Sequence, residues 1–202
     1  MKKRVCLLLA LVVVMLSSVT AFAEPAVNTV NGYSLPFPAG ISVMTRDNHD
    51  VKAVGLDTLV TQEYMDNVFA SQPGLQIDAI NLDPLYEIFV FQNEVPGTES
   101  FADVTQSDLE SGKTVMAESL VQKGVTLTSE VQIAKHAQTS FYTYTGTADL
   151  GGQIAYILAY VTSEDGYVVT VQLQTYDAPA NEELSAMFLD LVQNSTFASL
   201  TK

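Results

Sequence analysis

The sequence predicts an α+β domain in which an antiparallel β-sheet is sandwiched by helices, an α-β-α arrangement. Residues 154–161 are almost wholly apolar, and a strand has this composition only when both of its faces are covered. The next strand alternates, with Val169, Val171 and Leu173 on one face and polar residues on the other. Asp165-Gly166 supplies the tight turn between them. A helical pattern follows at once, so this hairpin is expected at the centre of the sandwich.

The first 23 residues have the pattern of a cleavable secretory signal peptide. Residues 2–4 are basic, residues 5–16 are apolar, and residues 21–23 read Ala-Phe-Ala, a small-residue cleavage site. The apolar run is shorter than the roughly 20 residues of a membrane-spanning helix, which argues against a membrane anchor. We therefore expect an exported protein, periplasmic, extracellular or at the cell surface. A single domain over residues 24–202 is predicted, without stable membrane insertion after cleavage.

Charge and cysteine content exclude several function classes. The chain has nine Lys and Arg against 23 Asp and Glu; removing the three basic residues of the signal leaves six against 23, a net charge of −17. Such a surface repels nucleic acid and anionic lipid headgroups, so neither is an expected partner. The preferred interpretation of this acidity is solubility outside the cell, and an acidic docking face is the alternative. The single cysteine, Cys6, lies within the signal, so no disulfide or thiolate site is expected afterwards.

The first half of the expected domain contains strands on either side of one helix. Residues 32–46 suggest short strands broken by Pro36 and Pro38, which suits a sheet edge. Apolar residues at helical spacing predict a helix from Asp57 to Ser71, ended by Pro-Gly. Residues 75–82 alternate and residues 86–92 form a dense β pattern, with an Asp-Pro turn between them.

The second half predicts two helices and the long strands. Ser107 and Glu110 form a capping-box pattern that starts a helix, and Lys123-Gly124 ends it. Strands over residues 125–133 and 140–147 follow. Asn181 starts the last helix, and five apolar residues give it a stripe that must lie on the sheet: Leu184, Met187, Phe188, Leu191 and Val192.

This order of parts, from GYSLPFP at residues 32–38 through YEIFVF to NSTF at residues 194–197, resembles the PsbP-like superfamily. The superfamily includes the oxygen-evolving-complex subunit PsbP, a Ran-binding nuclear import factor and bacterial DcrB-like exported proteins. The likeness is one of pattern, without a diagnostic motif. It implies an antiparallel sheet with helices on both faces, and an interaction or accessory module rather than an enzyme. No site residue carries over, because the members bind different partners through different surfaces.

Few residues suggest chemistry. His49, within residues 46–50, could contribute to a small metal cluster or an acid–base pair, but the spacing fits no calcium loop and a polar turn between strands is the preferred interpretation. His136 is expected in an exposed connector. Gly151-Gly152 is too short for a phosphate loop, and no serine lies in a nucleophile elbow. We therefore predict no catalytic residue, no metal ligand and no cofactor, and the pattern identifies no ligand-binding residue.

The tyrosines are the remaining candidates. Six lie on the long strands or at their ends: Tyr142, Tyr144, Tyr156, Tyr160, Tyr167 and Tyr176. They could line a groove that grips a peptide, a glycan or an apolar ligand. The preferred interpretation is that they pack at the seam between sheet and helices, with their hydroxyls in solvent, because strands are normally rich in aromatic residues.

Three functional hypotheses follow. The first is a non-enzymatic exported protein that acts as an interaction or accessory module through an unidentified protein partner. The second is a carrier of a small apolar or glycan ligand, held between the sheet and a helix. The third is a hydrolase with paired carboxylates, which so acidic a sequence permits without indicating.

Overall fold

The computed structural model describes residues 26–30, 33–136, 139–164 and 166–197, with side chains from residue 34 to residue 196. The predicted signal peptide, its Cys6 and the hairpin residue Asp165 lie outside these ranges. In the part of the chain that is described, no helix is both long and apolar enough to cross a membrane.

The described residues form eleven strands and three helices. The strands are β1 Ala26–Val30, β2 Tyr33–Phe37, β3 Ser42–Thr45, β4 Leu75–Leu82, β5 Leu85–Glu94, β6 Val125–Leu127, β7 Gln132–His136, β8 Thr139–Asp149, β9 Ile154–Glu164, β10 Tyr167–Thr175 and β11 Thr196–Phe197. The helices are α1 Gln62–Ser71, α2 Gln106–Gln122 and α3 Glu182–Asn194.

Eight strands form one antiparallel sheet in the order β3-β4-β5-β10-β9-β8-β6, with β7 also paired to β8. The predicted hairpin β9–β10 lies at its centre, and Val171 of β10 stands opposite Tyr160 of β9. Gly166, which has φ +86°, allows the tight connection between the two strands. The strands β1, β2 and β11 form a separate three-stranded sheet.

Helices cover both faces of the large sheet, as predicted. Helix α3 and strand β2 pack on one face, where Phe188 and Leu35 join Val171 and Tyr160 in a buried cluster that we call the α3 cluster. The other face carries α1 and α2, each over its own half. Across β5, β10 and β9, Phe89, Gln172 and Ala159 lie opposite one another and so share this face. We call it the two-helix face.

Each helix on the two-helix face has its own apolar cluster. The α1 cluster contains Met44, Val51, Leu56, Met65, Phe69, Leu75 and Ile80. The α2 cluster contains Leu109, Leu120, Val131, Tyr142, Tyr144, Ile157, Ala159 and Val161. The doubly apolar strand predicted at residues 154–161 is thereby explained, because β9 contributes to the α2 cluster on one side and, through Tyr160, to the α3 cluster on the other.

The predicted start of α1 at Asp57 was wrong. The helix begins at Gln62, because the Thr61 hydroxyl accepts a hydrogen bond from the Tyr64 amide at 3.2 Å and caps the first turn. The preceding segment is a turn that buries Val51 and Leu56, and in it the Leu56 amide donates to the Val51 carbonyl at 2.7 Å. Its apolar spacing therefore reflects a packed loop rather than a longer helix.

The capping box at Ser107 was also misplaced. Thr105 is the cap of α2: its hydroxyl accepts from the Asp108 amide at 3.3 Å and donates to the Asp108 carboxylate at 2.6 Å. Glu110 instead pairs with Lys113 at 3.1 Å on the helix surface. The predicted end is confirmed, since Gly124 follows the helix with φ +87°.

Two strand predictions also need correction. The strand expected over residues 125–133 is split into β6 and β7. The Ser129 hydroxyl accepts a hydrogen bond from the Thr145 amide at 3.2 Å and so interrupts the backbone pairing with β8. Of the short strands expected at a sheet edge, β3 is the edge strand of the large sheet, as predicted, whereas β2 lies between β1 and β11 in the small one. Strand β2 tolerates Pro36 because β11 pairs only with Tyr33 and Ser34, so the missing amide is not needed there.

Candidate functional site

The two-helix face carries a cluster of polar side chains that begins among residues of the α1 cluster and continues along β10 toward the α2 cluster. Strand β4 contributes Asp78 and strand β5 contributes Glu87. Asp78 stands opposite Phe89, and Ile80 stands opposite Glu87. The two carboxyl groups are therefore diagonal neighbours on one face, a relation that places their Cα atoms about 7–8 Å apart. We call Asp78 and Glu87 the acid pair.

Glu87 receives the end of a chain of hydrogen bonds. Gln172 donates to the Gln174 side-chain oxygen at 3.2 Å, Gln174 donates to the Tyr176 hydroxyl at 2.8 Å, and Tyr176 donates to the Glu87 carboxylate. The three donors come from β10 and the residue that follows it. All the bonds run in one direction, so the chain ends on the only carboxylate in it, and we call it the polar chain.

Asp78 lies deeper and is less well satisfied. It is 4% exposed, and its Oδ1 atom has no hydrogen-bond partner among the described residues. Burial raises the pKa of Asp78 to about 7. The cause is desolvation, because taking a carboxylate out of water favours the neutral acid. Opposite it on β3 is Met44, which supplies no hydrogen-bond donor from its side chain.

The groups around the acid pair share its electrostatic field. Burial, and then the charge of Asp78, raise the pKa of Glu87 well above its usual range. On α1, Tyr64 has a raised pKa, first through burial and then through the charges of Glu87 and Asp78. Within the described ranges the two ion pairs are His49–Asp66 and Lys113–Glu110, so no Lys, Arg or His there neutralises either member of the acid pair.

This arrangement suits the holding of a proton more than the attack on a substrate. Two carboxyl groups that interact strongly release their protons in two separate steps. A general acid or base must reach the substrate, directly or through one water, and Asp78 is almost fully buried. In the described portion of the chain, no group of three or more His, Cys, Asp or Glu residues could hold a metal ion.

His49 lies in a polar turn, as predicted, although the turn leads toward α1 rather than to a strand. Its Nδ1 is 3.2 Å from the Thr45 carbonyl and its Nε2 is 3.2 Å from the Asp66 carboxylate. The ring packs on Phe69, with 4.7 Å between centroids. These contacts join the turn to α1 and account for the residue structurally.

His136 was expected in an exposed connector, and this was wrong. It is the last residue of β7, and its ring lies 5.8 Å from that of Phe141 and 5.7 Å from that of Tyr160. Gln193 of α3 donates to its Nδ1 at 3.2 Å. The residue belongs to the edge of the α3 cluster, where its imidazole fills space beside two aromatic rings.

The six tyrosines do not line a common groove. Tyr142 and Tyr144 are buried in the α2 cluster, whereas Tyr160 is buried on the opposite face. Packing between sheet and helices, the preferred interpretation, holds for these three. The expectation of hydroxyls in solvent fails for Tyr142, which donates to the Leu109 carbonyl of α2 at 2.8 Å. Tyr176 has a different role, as the link between the polar chain and the acid pair.

The two most prominent depressions on the described part of the surface are shallow, and neither lies between the sheet and a helix. The first is formed by residues 47–52 and Gln62, around the His49 turn. The second lies on the outer surface of α2, at Ala117, Glu118, Val121 and Gln122. Both are open to solvent, so neither resembles the enclosed site that a ligand carrier requires.

Sequence reasoning missed the acid pair. The signal was present: Asp78 is the single charged residue in LQIDAINL, and Glu87 is the single charged residue in YEIFVF. A lone carboxyl inside an apolar strand is uncommon, because burying it costs free energy unless it is paired or neutralised. The sequence could not show that both carboxyls share one face of adjacent strands.

Comparisons with known proteins extend the description of the fold. No protein-family model matches the chain, and no curated protein sequence matches it. Among solved structures, cyanobacterial PsbP (CyanoP) from Synechocystis sp. PCC 6803 is similar with a TM-score of 0.50 and 16% identity, over 90% of this chain and 98% of that one. LpqN, involved in cell envelope biogenesis of Mycobacterium tuberculosis, is similar with a TM-score of 0.46 and 10% identity, over 89% and 88% of the two chains. The likeness to CyanoP, together with the helices on both faces of an antiparallel sheet, shows that this chain has a PsbP-like fold.

Proposed function

We propose that the protein is a non-enzymatic, exported accessory protein that acts by binding another protein. The observation that supports this most directly is a group of exposed large apolar residues at one end of the large sheet. Val121 of α2 is 61% exposed, Leu150 of the β8–β9 turn is 52% exposed and Ile154 of β9 is 43% exposed. Large exposed apolar side chains that come together at one end of a molecule favour a protein-binding role for that end.

Strand pairing brings these residues to the same end of the molecule. Val125, which follows α2 closely, stands opposite Ala148 near the end of β8. Ile154 stands opposite Asp149, and the Leu150 amide donates to the Gln153 carbonyl across the turn at 2.8 Å. The end of α2 and the β8–β9 turn therefore lie at the same end of the sheet, with Val121 on the α2 side and Ile154, by strand alternation, on the α3 side. We call this end, with the exposed Val121, Leu150 and Ile154, the apolar end.

Charge indicates the kind of partner. Glu118 and Asp149 are exposed beside the apolar end, and the whole chain carries a formal charge of −14. An acidic protein is steered toward a partner of opposite charge, and protein interfaces combine an apolar centre with a polar rim. The proposed partner is thus a protein with an apolar centre and a basic rim.

The two alternatives have less support. A ligand carrier requires enclosed space between the sheet and a helix, and the two surface depressions lie elsewhere. A carboxylate-dependent hydrolase requires two accessible acids, and Asp78 is 4% exposed.

Substitution at the apolar end tests the proposal. The tagged protein and its Val121→Asp, Ile154→Asp double variant are isolated from the envelope of the source organism after mild cross-linking, and bound proteins are quantified by mass spectrometry. Val115→Asp is the matched control, because Val115 is 67% exposed on the same helix but lies outside the apolar end. Thermal melts verify that all the variants are folded.

The captured protein is then purified and its affinity is measured at several salt concentrations. We expect the double variant to bind at least about tenfold more weakly, a loss of about 1.4 kcal/mol, while the control binds like the wild type. Weaker binding at higher salt indicates the basic rim. Equal binding by wild type and double variant would contradict the proposal.

A further inference from the structure

The acid pair lies beneath α1 and faces titratable groups from two other elements. Tyr64 comes from α1, and Tyr176 comes from the segment after β10. The uncharged neighbours are Met44 of β3, opposite Asp78, and Gln174 of β10, opposite Glu87. Arg46, which follows β3, is a diagonal neighbour of Asp78, but its guanidinium donates to the Leu75 and Gln72 carbonyls at 2.9 and 2.6 Å, and among the described residues it forms no ion pair with either acid.

Among the residues that the structure describes, one oxygen of the pair has no hydrogen-bond partner. Asp78 Oδ1 is buried and receives no hydrogen bond from the residues around it, whereas Glu87 receives the Tyr176 hydroxyl. An ionised carboxylate in that position would be desolvated without compensation, which costs several kcal/mol. The addition of a proton removes the charge, and with it the cost of burying an ionised group.

We propose that the acid pair is a proton-operated switch, in which the pair retains a proton while α1 is packed on the sheet and complete ionisation loosens α1. The mechanism is local. Two negative charges on diagonal positions repel each other and draw water toward Asp78. This position is covered by α1, whose Met65 and Phe69 belong to the α1 cluster. Helix α2 packs over the other half of the face and takes no part.

The direction of the pH effect follows from the raised pKa values. The pKa of Asp78 is raised from 3.8 to about 7, and that of Glu87 is also raised, so the folded protein binds more protons than the unfolded chain between about pH 4 and pH 7. The stabilisation that these protons provide is complete below about pH 4. It is lost progressively as the pH rises toward and through 7.

Thermal unfolding between pH 5 and pH 8.5 tests the switch. The wild type is compared with Asp78→Asn and Glu87→Gln, and with Glu118→Gln as a control for an exposed acid on α2. We expect the Tm of the wild type and of the control to fall with pH by roughly 4–8 °C more than the Tm of Asp78→Asn, because the variant has no carboxyl at this buried position to ionise. The measured quantity is the slope of Tm against pH, so a change in Tm that is the same at every pH does not affect the comparison. Parallel slopes in all four proteins would overturn the proposal.

Two measurements on the wild type keep the test independent of whether the variants fold. Carbon NMR of the side-chain carboxyls is expected to show Asp78 titrating near pH 7, and titration of both acids below about pH 5 would overturn the switch. Hydrogen exchange, corrected for its intrinsic pH dependence, is expected to accelerate in α1 but not in α2 above pH 7. Equal acceleration in the two helices would exclude a local mechanism.

A metal-ion control separates proton binding from cation binding. Calcium or magnesium chloride is added at pH 8, with sodium chloride at matched ionic strength. No change in Tm is expected. If the Tm of the wild type increases and that of Asp78→Asn does not, the pair binds a divalent cation rather than a proton, and the switch is overturned.

Discussion

The two halves of the two-helix face treat their buried polar groups differently. Under α2, the Tyr142 hydroxyl is buried and donates to the Leu109 carbonyl of the helix. Under α1, the Asp78 carboxyl is buried with one oxygen unpaired, and it shares its surroundings with Glu87. The α2 half pairs its buried hydroxyl with a backbone acceptor. The α1 half has a buried carboxyl that is neutral only when it holds a proton.

The difference shows why a hydroxyl and a carboxyl have different consequences in similar positions. A hydroxyl requires one acceptor and is then neutral and satisfied at any ordinary pH, although burial raises its pKa, as it does for Tyr142. A carboxyl is either an uncompensated charge or an acid, so its environment couples folding to pH. We therefore expect the α2 half to act as a fixed support and the α1 half to respond to conditions.

The largest expected effect tests whether packing holds α1 over the acid pair. Phe69 is 2% exposed and contacts the His49 ring, so Phe69→Ala should destabilise the protein by about 3–5 kcal/mol. Leu120→Ala on α2 is the matched change, with about 2–5 kcal/mol expected. Urea denaturation measures both. A cost below about 1 kcal/mol for Phe69→Ala alone would show that α1 is held by something other than its apolar cluster.

The close approach of α2 to the sheet gives the next effect. A Cβ atom at Gly112 would overlap the Tyr142 hydroxyl, so Gly112→Ala must displace the ring or break its bond to Leu109. We expect a loss of roughly 1–3 kcal/mol, although alanine favours a helix by about 1 kcal/mol over glycine. Combination with Tyr142→Phe, which removes the hydroxyl, should recover part of the loss. Strict additivity in a double-mutant cycle would contradict this contact.

A smaller effect is expected in the polar chain. Tyr176→Phe removes the hydrogen bond that favours the ionised form of Glu87, so the pKa of Glu87 should rise further and stability at pH 7 should fall by roughly 1–2 kcal/mol. NMR titration and chemical denaturation measure the two changes. Tyr156→Phe, on the opposite face, is the control. An unchanged Glu87 titration would show that Tyr176 does not act on the acid pair.

The helix caps give the smallest effect and separate the two halves most directly. Thr61→Ala removes the acceptor for the Tyr64 amide, and Thr105→Ala removes the acceptor for the Asp108 amide. Each should cost about 1 kcal/mol. Native-state hydrogen exchange should increase in α1 for the first variant and in α2 for the second. A spread of the effect to both helices in either variant would mean that the halves unfold as one unit.

Local patterns in the sequence predicted much of the fold. The alternation of Val169, Val171 and Leu173, the stripe that includes Phe188 on α3, and the Gly124 terminator are all found as expected. Where expectation failed, two local signals competed. The apolar spacing at Leu56 resembles a helix but belongs to a loop, because Thr61 caps α1 later in the chain.

The sequence by itself determined the strand pattern, the central hairpin and the amphipathic last helix, because periodicity records which face of each element is buried. Only the tertiary structure decided which buried faces meet. Asp78 and Glu87 are nine residues apart, and each alone is a polar interruption in a strand. Their effect depends on the β4–β5 register and on the cover that α1 provides, and a one-residue shift in that pairing would place them on opposite faces. Electrostatic coupling and desolvation depend on distance and burial, which the order of residues along the chain does not specify.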